Sequence, residues 1–132
     1  MKLEHPEKFN IPLGEQVLSH VVAHPELHDQ ATVGVYDCNT PGCIAGWACH
    51  FAKTESHEVS MARYGRMDVA AQLLGFVEPN QRYYASMASR TLFGEDEEGA
   101  LEMLADFIVQ AHVAQDTADQ FELFEVEELV SP

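Results

Sequence analysis

Cys38, Cys43, Cys49 and His50 lie close together in the chain and are residue types that hold transition metals or act as nucleophiles. Structural zinc asks for four tetrahedral nitrogen or sulfur ligands, most often supplied as two close pairs. Cys38 and Cys43, with four residues between them, form an admissible first pair. No second pair follows, because Cys49 and His50 are neighbours on a helix, where successive side chains point about 100° apart. A complete set would draw on a remote His28 or His57. Against the metal stands the ordinary role of a free cysteine as a small buried apolar residue, which suits Cys43 and Cys49.

The same stretch admits thiol chemistry. Thr40 suits an N-cap and Pro41 the first helical position, where its missing N–H costs nothing. That start places Cys43 near the third residue of a helix running to Lys53, where the dipole favours thiolate. A nucleophile also needs a base, and His20, His24, His28, His57 and His112 are all available, with none singled out. The box Gly42-Cys43-Ile44-Ala45-Gly46-Trp47 lacks the Cys-Gly-Ser-Cys-Trp pattern of papain-like enzymes. Dinucleotide and P-loop glycine motifs, Gly-x-Ser-x-Gly and His-Glu-x-x-His are absent as well. No pair of carboxylates has a distinctive spacing. The expectation is therefore a non-catalytic chain with no cofactor, and the alternative is a metal- or thiol-dependent protein using Cys38, Cys43 and Cys49.

Charge narrows the partners. The formal net charge is −15, and it is unevenly placed: all seven Lys and Arg lie in residues 1–90 beside ten acids, while residues 91–132 hold the other twelve acids with no Lys or Arg. Binding nucleic acid or anionic lipid requires cationic side chains that this C-terminal third lacks, so neither is expected as a direct partner. Two functional readings of the acidic end are open. A compact array of carboxylates can imitate a phosphate backbone and block a DNA-binding protein. Alternatively Phe121, Glu122, Phe124, Glu125, Glu127 and Glu128 dock in a protein partner's groove as an amphipathic helix or an added strand. The bland alternative packs Phe121 and Phe124 on the chain's own core and leaves the glutamates solvated.

Residues of these types need elements to position them. With 132 residues and 46% hydrophobic content the chain is sized for one core and one domain. Residues 12–24 carry Leu13, Val17, Leu18, Val21 and Val22 at helical spacing, and Pro25 stops the helix at His24. His20 and His24 fall in its last turn, where partial negative charge favours imidazolium. Thr32–Tyr36 reads as a lone short strand that would need a partner, the tail or a second copy. The Pro41–Lys53 helix is apolar or small on nearly every side and reads as central.

A further helix spans about Val59 to Leu74 and is capped by Gly75. Asn80 suits the cap of a fourth, ending at Gly94, and Asp96, Glu97 and Glu98 open a fifth whose stripe is Leu101, Leu104, Phe107, Ile108 and Ala111. The tail from Asp116 fits helix and edge strand alike. The fold expected is a mainly α single domain of about five helices with at most a minor β element: a short arm (1–11), a helical core (12–112) and an acidic tail (116–132). The opening MKLEHPEKFNIP has neither an apolar run nor a cleavage site, and three cysteines are an odd count. A soluble chain in a reducing cytoplasm is expected.

The stretch Cys38-Asn39-Thr40-Pro41-Gly42-Cys43-Ile44-Ala45-Gly46-Trp47-Ala48 resembles a Cys-Gly-Thr-x-x-Cys-x-Ala-Gly-Trp-Ala box found in small acidic proteins of actinobacteria and their tailed phages. The likeness extends loosely from residue 13 to residue 94. Asn39 stands at the usual glycine, a change that a turn tolerates because both residues accept positive φ. The resemblance brings no activity with it. It implies a phage or prophage origin and, by analogy, host-directed binding rather than metabolism.

Overall fold

We describe the protein from a computed structural model covering residues 1–31, 42–52 and 65–130, with side chains as far as residue 117. The described residues form five α-helices and three short 3-10 turns, joined by irregular segments, and include no strand. The chain is mainly α, as its periodicities predict. The proposed strand Thr32–Tyr36 and the residues from Val59 to Tyr64 lie outside the described residues.

Helix α1 (Ile11–Ala23) begins where the Asn10 side chain accepts the Leu13 N–H at 3.2 Å, and it stops at His24, the residue before Pro25. Leu13, Val17 and Val21, one turn apart, are its buried stripe, joined by Gly14. Val22, expected on that stripe, is 60% exposed. It sits about 100° round from Val21, on the edge that α1's neighbours do not cover.

Helix α2 (Ile44–Phe51) is the central element. Ile44 through Cys49 are all buried, and Trp47 is fully enclosed. Its most extensive packing is against α3 (Arg66–Leu74), whose Val69, Ala70, Ala71 and Leu74 are buried. Small residues on both helices let the backbones approach. Gly75 ends α3 at φ 83°, where a side chain is strained, and a Cβ there would lie 2.1 Å from the Lys8 carbonyl oxygen. The N-terminal segment lies against this turn, with Asn10 N–H donating to the Leu74 carbonyl at 2.8 Å.

Helix α4 (Met87–Gly94) starts later than Asn80 suggests. Buried Asp68 on α3 accepts from Tyr83 N–H and from the Arg82 guanidinium, both at 2.9 Å. This anchor holds Arg82 extended, a 3-10 turn follows over Tyr83–Ala85, and Ser86 becomes the cap by accepting the Ser89 N–H. Glu4 completes that N-terminus from a distance, accepting from Met87 N–H at 3.1 Å and Ala88 N–H at 3.0 Å.

Helix α5 (Glu97–Val130) runs without a break through the tail, whose helix-or-strand ambiguity is thereby settled for the backbone. Ala100, Leu104, Phe107, Ile108 and Ala111 are buried against α1 and α4, and Phe107 packs edge-on to Phe76. Leu101, expected in that stripe, is half-buried at its margin, and Ala100 takes the interior place. Among the described residues no helix is long and apolar enough to cross a membrane.

Candidate functional site

The cysteine box is built around Gly42. Its N–H donates to the Leu27 carbonyl and its own carbonyl accepts from Asp29 N–H, both at 2.9 Å, an isolated parallel bridge between His28 and Gly42. This pairing keeps Gly42 extended, so α2 begins at Ile44 with Cys43 as its cap, later than a start at Pro41. Thr40, Pro41, Cys38 and the expected end at Lys53 lie outside the described residues; the helix itself stops at Phe51.

As the cap, Cys43 Sγ accepts the Gly46 N–H at 3.4 Å. Burial pushes its thiol up, and the hydrogen bonds from Gly46 and Ala45 that pull the other way are the smaller effect. The thiolate expected from the helix dipole is therefore disfavoured. Cys49 donates to the Arg66 carbonyl at 3.4 Å, and burial pushes it up to about 12. Both are free thiols serving as packing groups.

Among the described residues no three His, Cys, Asp or Glu side chains come together as a set that could hold a metal ion. The candidates Cys43, Cys49 and His50 are engaged separately, His50 lying edge-on to Trp47 and Phe51 at 5.3 and 5.4 Å. His28, the remote candidate, is buried with Nε2 2.9 Å from Gln30 Oε1, so its Nε2 carries the proton. His57 lies outside the described residues. His112 is exposed on α5 and meets Glu15 of α1 at 2.8 Å.

Gln30 emerges as a hub that its sequence neighbourhood did not announce. Its Oε1 accepts from Ile44 N–H at 3.0 Å, and its Nε2 donates to the Leu92 and Glu95 carbonyls at 3.2 Å. One side chain thus ties the start of α2 to the end of α4. A groove of about 370 Å³ opens beside it, lined by Gln30, Ala31, Phe93 and the run Gly94–Glu97. Two of its acids already serve backbone donors: Asp96 accepts from Gly99 N–H at 2.8 Å and Glu97 from Gln30 N–H at 3.2 Å.

A second cluster joins α1 to α2. The His20 ring lies 4.2 Å from Trp47, 5.0 Å from His24 and 5.2 Å from Phe51, and Trp47 stacks on Phe51 at 5.7 Å. Trp47 Nε1–H donates to the Leu27 carbonyl at 2.9 Å, fastening the turn after α1 to α2. The His20 Nε2 atom is buried and has no hydrogen-bond partner among the described residues. Loss of solvent, with His24 adding to it, lowers the His20 pKa below the ordinary 6.5. The imidazolium expected at the end of α1 is overridden there, because the helix terminus acts weakly and the aromatic wall excludes water.

The third surface is the outer face of α5. Exposed residues recur there as Glu102, Asp106, Val109, Val113 and Asp116, alternating steps of four and three. Val109 and Val113 are 59% and 62% exposed, large apolar groups left in solvent one turn apart. The whole helix carries ten acids and no Lys or Arg, and its last turn has no basic residue to meet the negative end of the dipole. The tail residues Phe121, Glu122, Phe124, Glu125, Glu127 and Glu128 belong to the same continuous helix, and their side chains lie outside the described ones. The helical period of α5 marks its buried stripe and does not mark Val109 and Val113 as a surface. Their 4-3 spacing was visible; their exposure was not.

No protein-family profile, curated protein or solved structure matches the chain.

Proposed function

We propose that the protein is a non-catalytic binding module whose α5 helix docks a cationic, amphipathic helical segment of another protein. The observation that carries this reading is the outer stripe of α5, in which Val109 and Val113 are flanked by Glu102 and Asp106 on one side and Asp116 on the other. Apolar groups at the centre of a stripe and like charges at its ends are the complement of a helix with an apolar centre and basic flanks. The same helix carries five further acidic residues between Asp119 and Glu128. A second copy of this face would set carboxylate against carboxylate, which opposes self-pairing there. A nucleic-acid mimic needs the charges alone, so the exposed valines favour a peptide partner over mimicry. Free thiols suit a cytoplasmic setting, and the likeness of the Cys38–Ala48 box to phage-encoded proteins suits a partner supplied by a host cell.

The test is calorimetric titration with a synthetic Leu/Lys amphipathic helix, with polylysine as the purely electrostatic control. Val109→Ser with Val113→Ser should weaken the amphipathic peptide about tenfold and leave polylysine unchanged. Truncation after Thr117 should weaken both and flatten their salt dependence. Equal affinity of the Leu/Lys helix for the wild type and the double variant would remove α5 as the docking face.

A further inference from the structure

We infer that the His20–Trp47 contact is an acid-sensitive latch: a proton taken up by His20 frees its ring from Trp47 and loosens α1 from α2. The inference stands on geometry and is independent of the docking face on α5. His20 is half-buried, its ring is 4.2 Å from a fully buried tryptophan, and among the described residues its Nε2 has neither solvent contact nor a hydrogen-bond partner. Neutral imidazole tolerates that site. Imidazolium must donate from both nitrogens, and an Nε2–H left without an acceptor carries the full desolvation cost.

Few charged groups of the described residues lie near the ring. On α1 and the turn after it, His24 opposes the proton and Glu26 favours it, and His24 is itself 3.6 Å from Glu26. From α2, His50 lies edge-on to Trp47 and adds a second imidazole rather than a carboxylate. From α5, His112 is bonded to Glu15, more than a turn earlier on α1. From α3, Asp68 is held by Arg82 and Tyr83, and Arg66 acts on Cys49. Among the described residues none of these elements supplies a carboxylate in contact with Nε2. Two effects favour the cation, the C-terminal end of α1 and the face of Trp47. Both act through partial charge, whereas the missing acceptor is a whole hydrogen bond.

The consequence reaches beyond one ring. Trp47 also holds Leu27, and the Leu27 carbonyl accepts from Gly42 as well, so a shift of Trp47 loosens the bridge that sets the start of α2. The direction follows from linkage. A histidine whose folded-state pKa is lowered contributes stability that is complete above about pH 6.5 and is lost as pH falls toward the folded value. The ratio of folded to unfolded chain then drops about tenfold for each unit separating the two.

Trp47 is the single tryptophan of the chain, so its fluorescence reports the latch directly. The full chain is titrated from about pH 8 to pH 5 beside His20→Phe, His20→Gln and His24→Gln. The wild type should show a Trp47 transition with a midpoint below 6.5 that vanishes in His20→Phe and persists in His24→Gln. Its urea midpoint should fall relative to that of His20→Phe over the same range. Should His20→Phe fail to fold, His20→Gln supplies the comparison, and the imidazole proton resonance of His20 in the wild type gives its midpoint without any variant. A His20 midpoint at or above 6.5, or a wild type that gains stability on acidification relative to the variants, would overturn the latch and make His20 a cation–π partner of Trp47.

Discussion

Helices α2 and α5 hold the two stretches that stand out chemically, and they treat them in opposite ways. Six of the eight residues of α2 are buried, and its cysteines are converted from reactive groups into packing groups. Helix α5 buries Ala100 through Ala111 along one stripe and turns an acidic, partly apolar stripe outward over the same turns. The same property, low exposure of apolar side chains, silences chemistry in one helix; its absence leaves a surface in the other. Cys43 at a helix start looked like a thiolate, yet loss of solvent outweighs the N–H groups that face it.

The sharpest way to test this contrast is to cut both buried stripes. Trp47→Ala on α2 and Phe107→Ala on α5 should each cost about 4 kcal/mol in urea unfolding, since both side chains are fully enclosed. A much smaller loss at Phe107 would mean that the first half of α5 is not part of the same core. Next in size is Gly75→Ala, which meets both a positive φ and the Lys8 carbonyl; a loss of about 3 kcal/mol is expected by the same measurement. Asp68→Ala leaves Tyr83 N–H without its acceptor and should cost about 2 kcal/mol, read as a lower thermal midpoint.

On the outward side the effects should be small. Val109→Ala with Val113→Ala should change stability by less than about 0.5 kcal/mol, because neither side chain is buried. Smallest of all should be the response of the thiols. Iodoacetamide at neutral pH should leave Cys43 and Cys49 unmodified in the folded chain and label them on unfolding, checked by mass spectrometry of the peptides. Rapid labelling of Cys43 in the native state would break the contrast between the helices at its centre.

Much of the framework was decided locally and could be read directly. Pro25 ends α1, Gly75 ends α3, and the run Asp96–Glu98 opens α5, each because a single residue's φ, missing N–H or charge acts on its own turn. The 3.6-residue repeats likewise named Leu13, Val17, Val21, Leu104 and Phe107 as interior. What escaped were groups whose roles depend on partners far away in the chain. Glu4 caps a helix more than eighty residues on, Asp68 delays α4 until Ser86, and the Gln30 side chain ties α2 to α4. No pattern of short period encodes such pairs.

By itself, then, the chain's order of residues determined that it is helical, where most helices stop, and that its negative charge gathers at one end. Only the tertiary structure decided which faces meet water. It buried Cys43 and Cys49, set His20 against Trp47, and left Val109 and Val113 outside. The reason is physical: propensity and charge are carried by residues one at a time, whereas solvent exclusion, which fixes the protonation of a thiol or an imidazole, exists only once separate elements have closed around it.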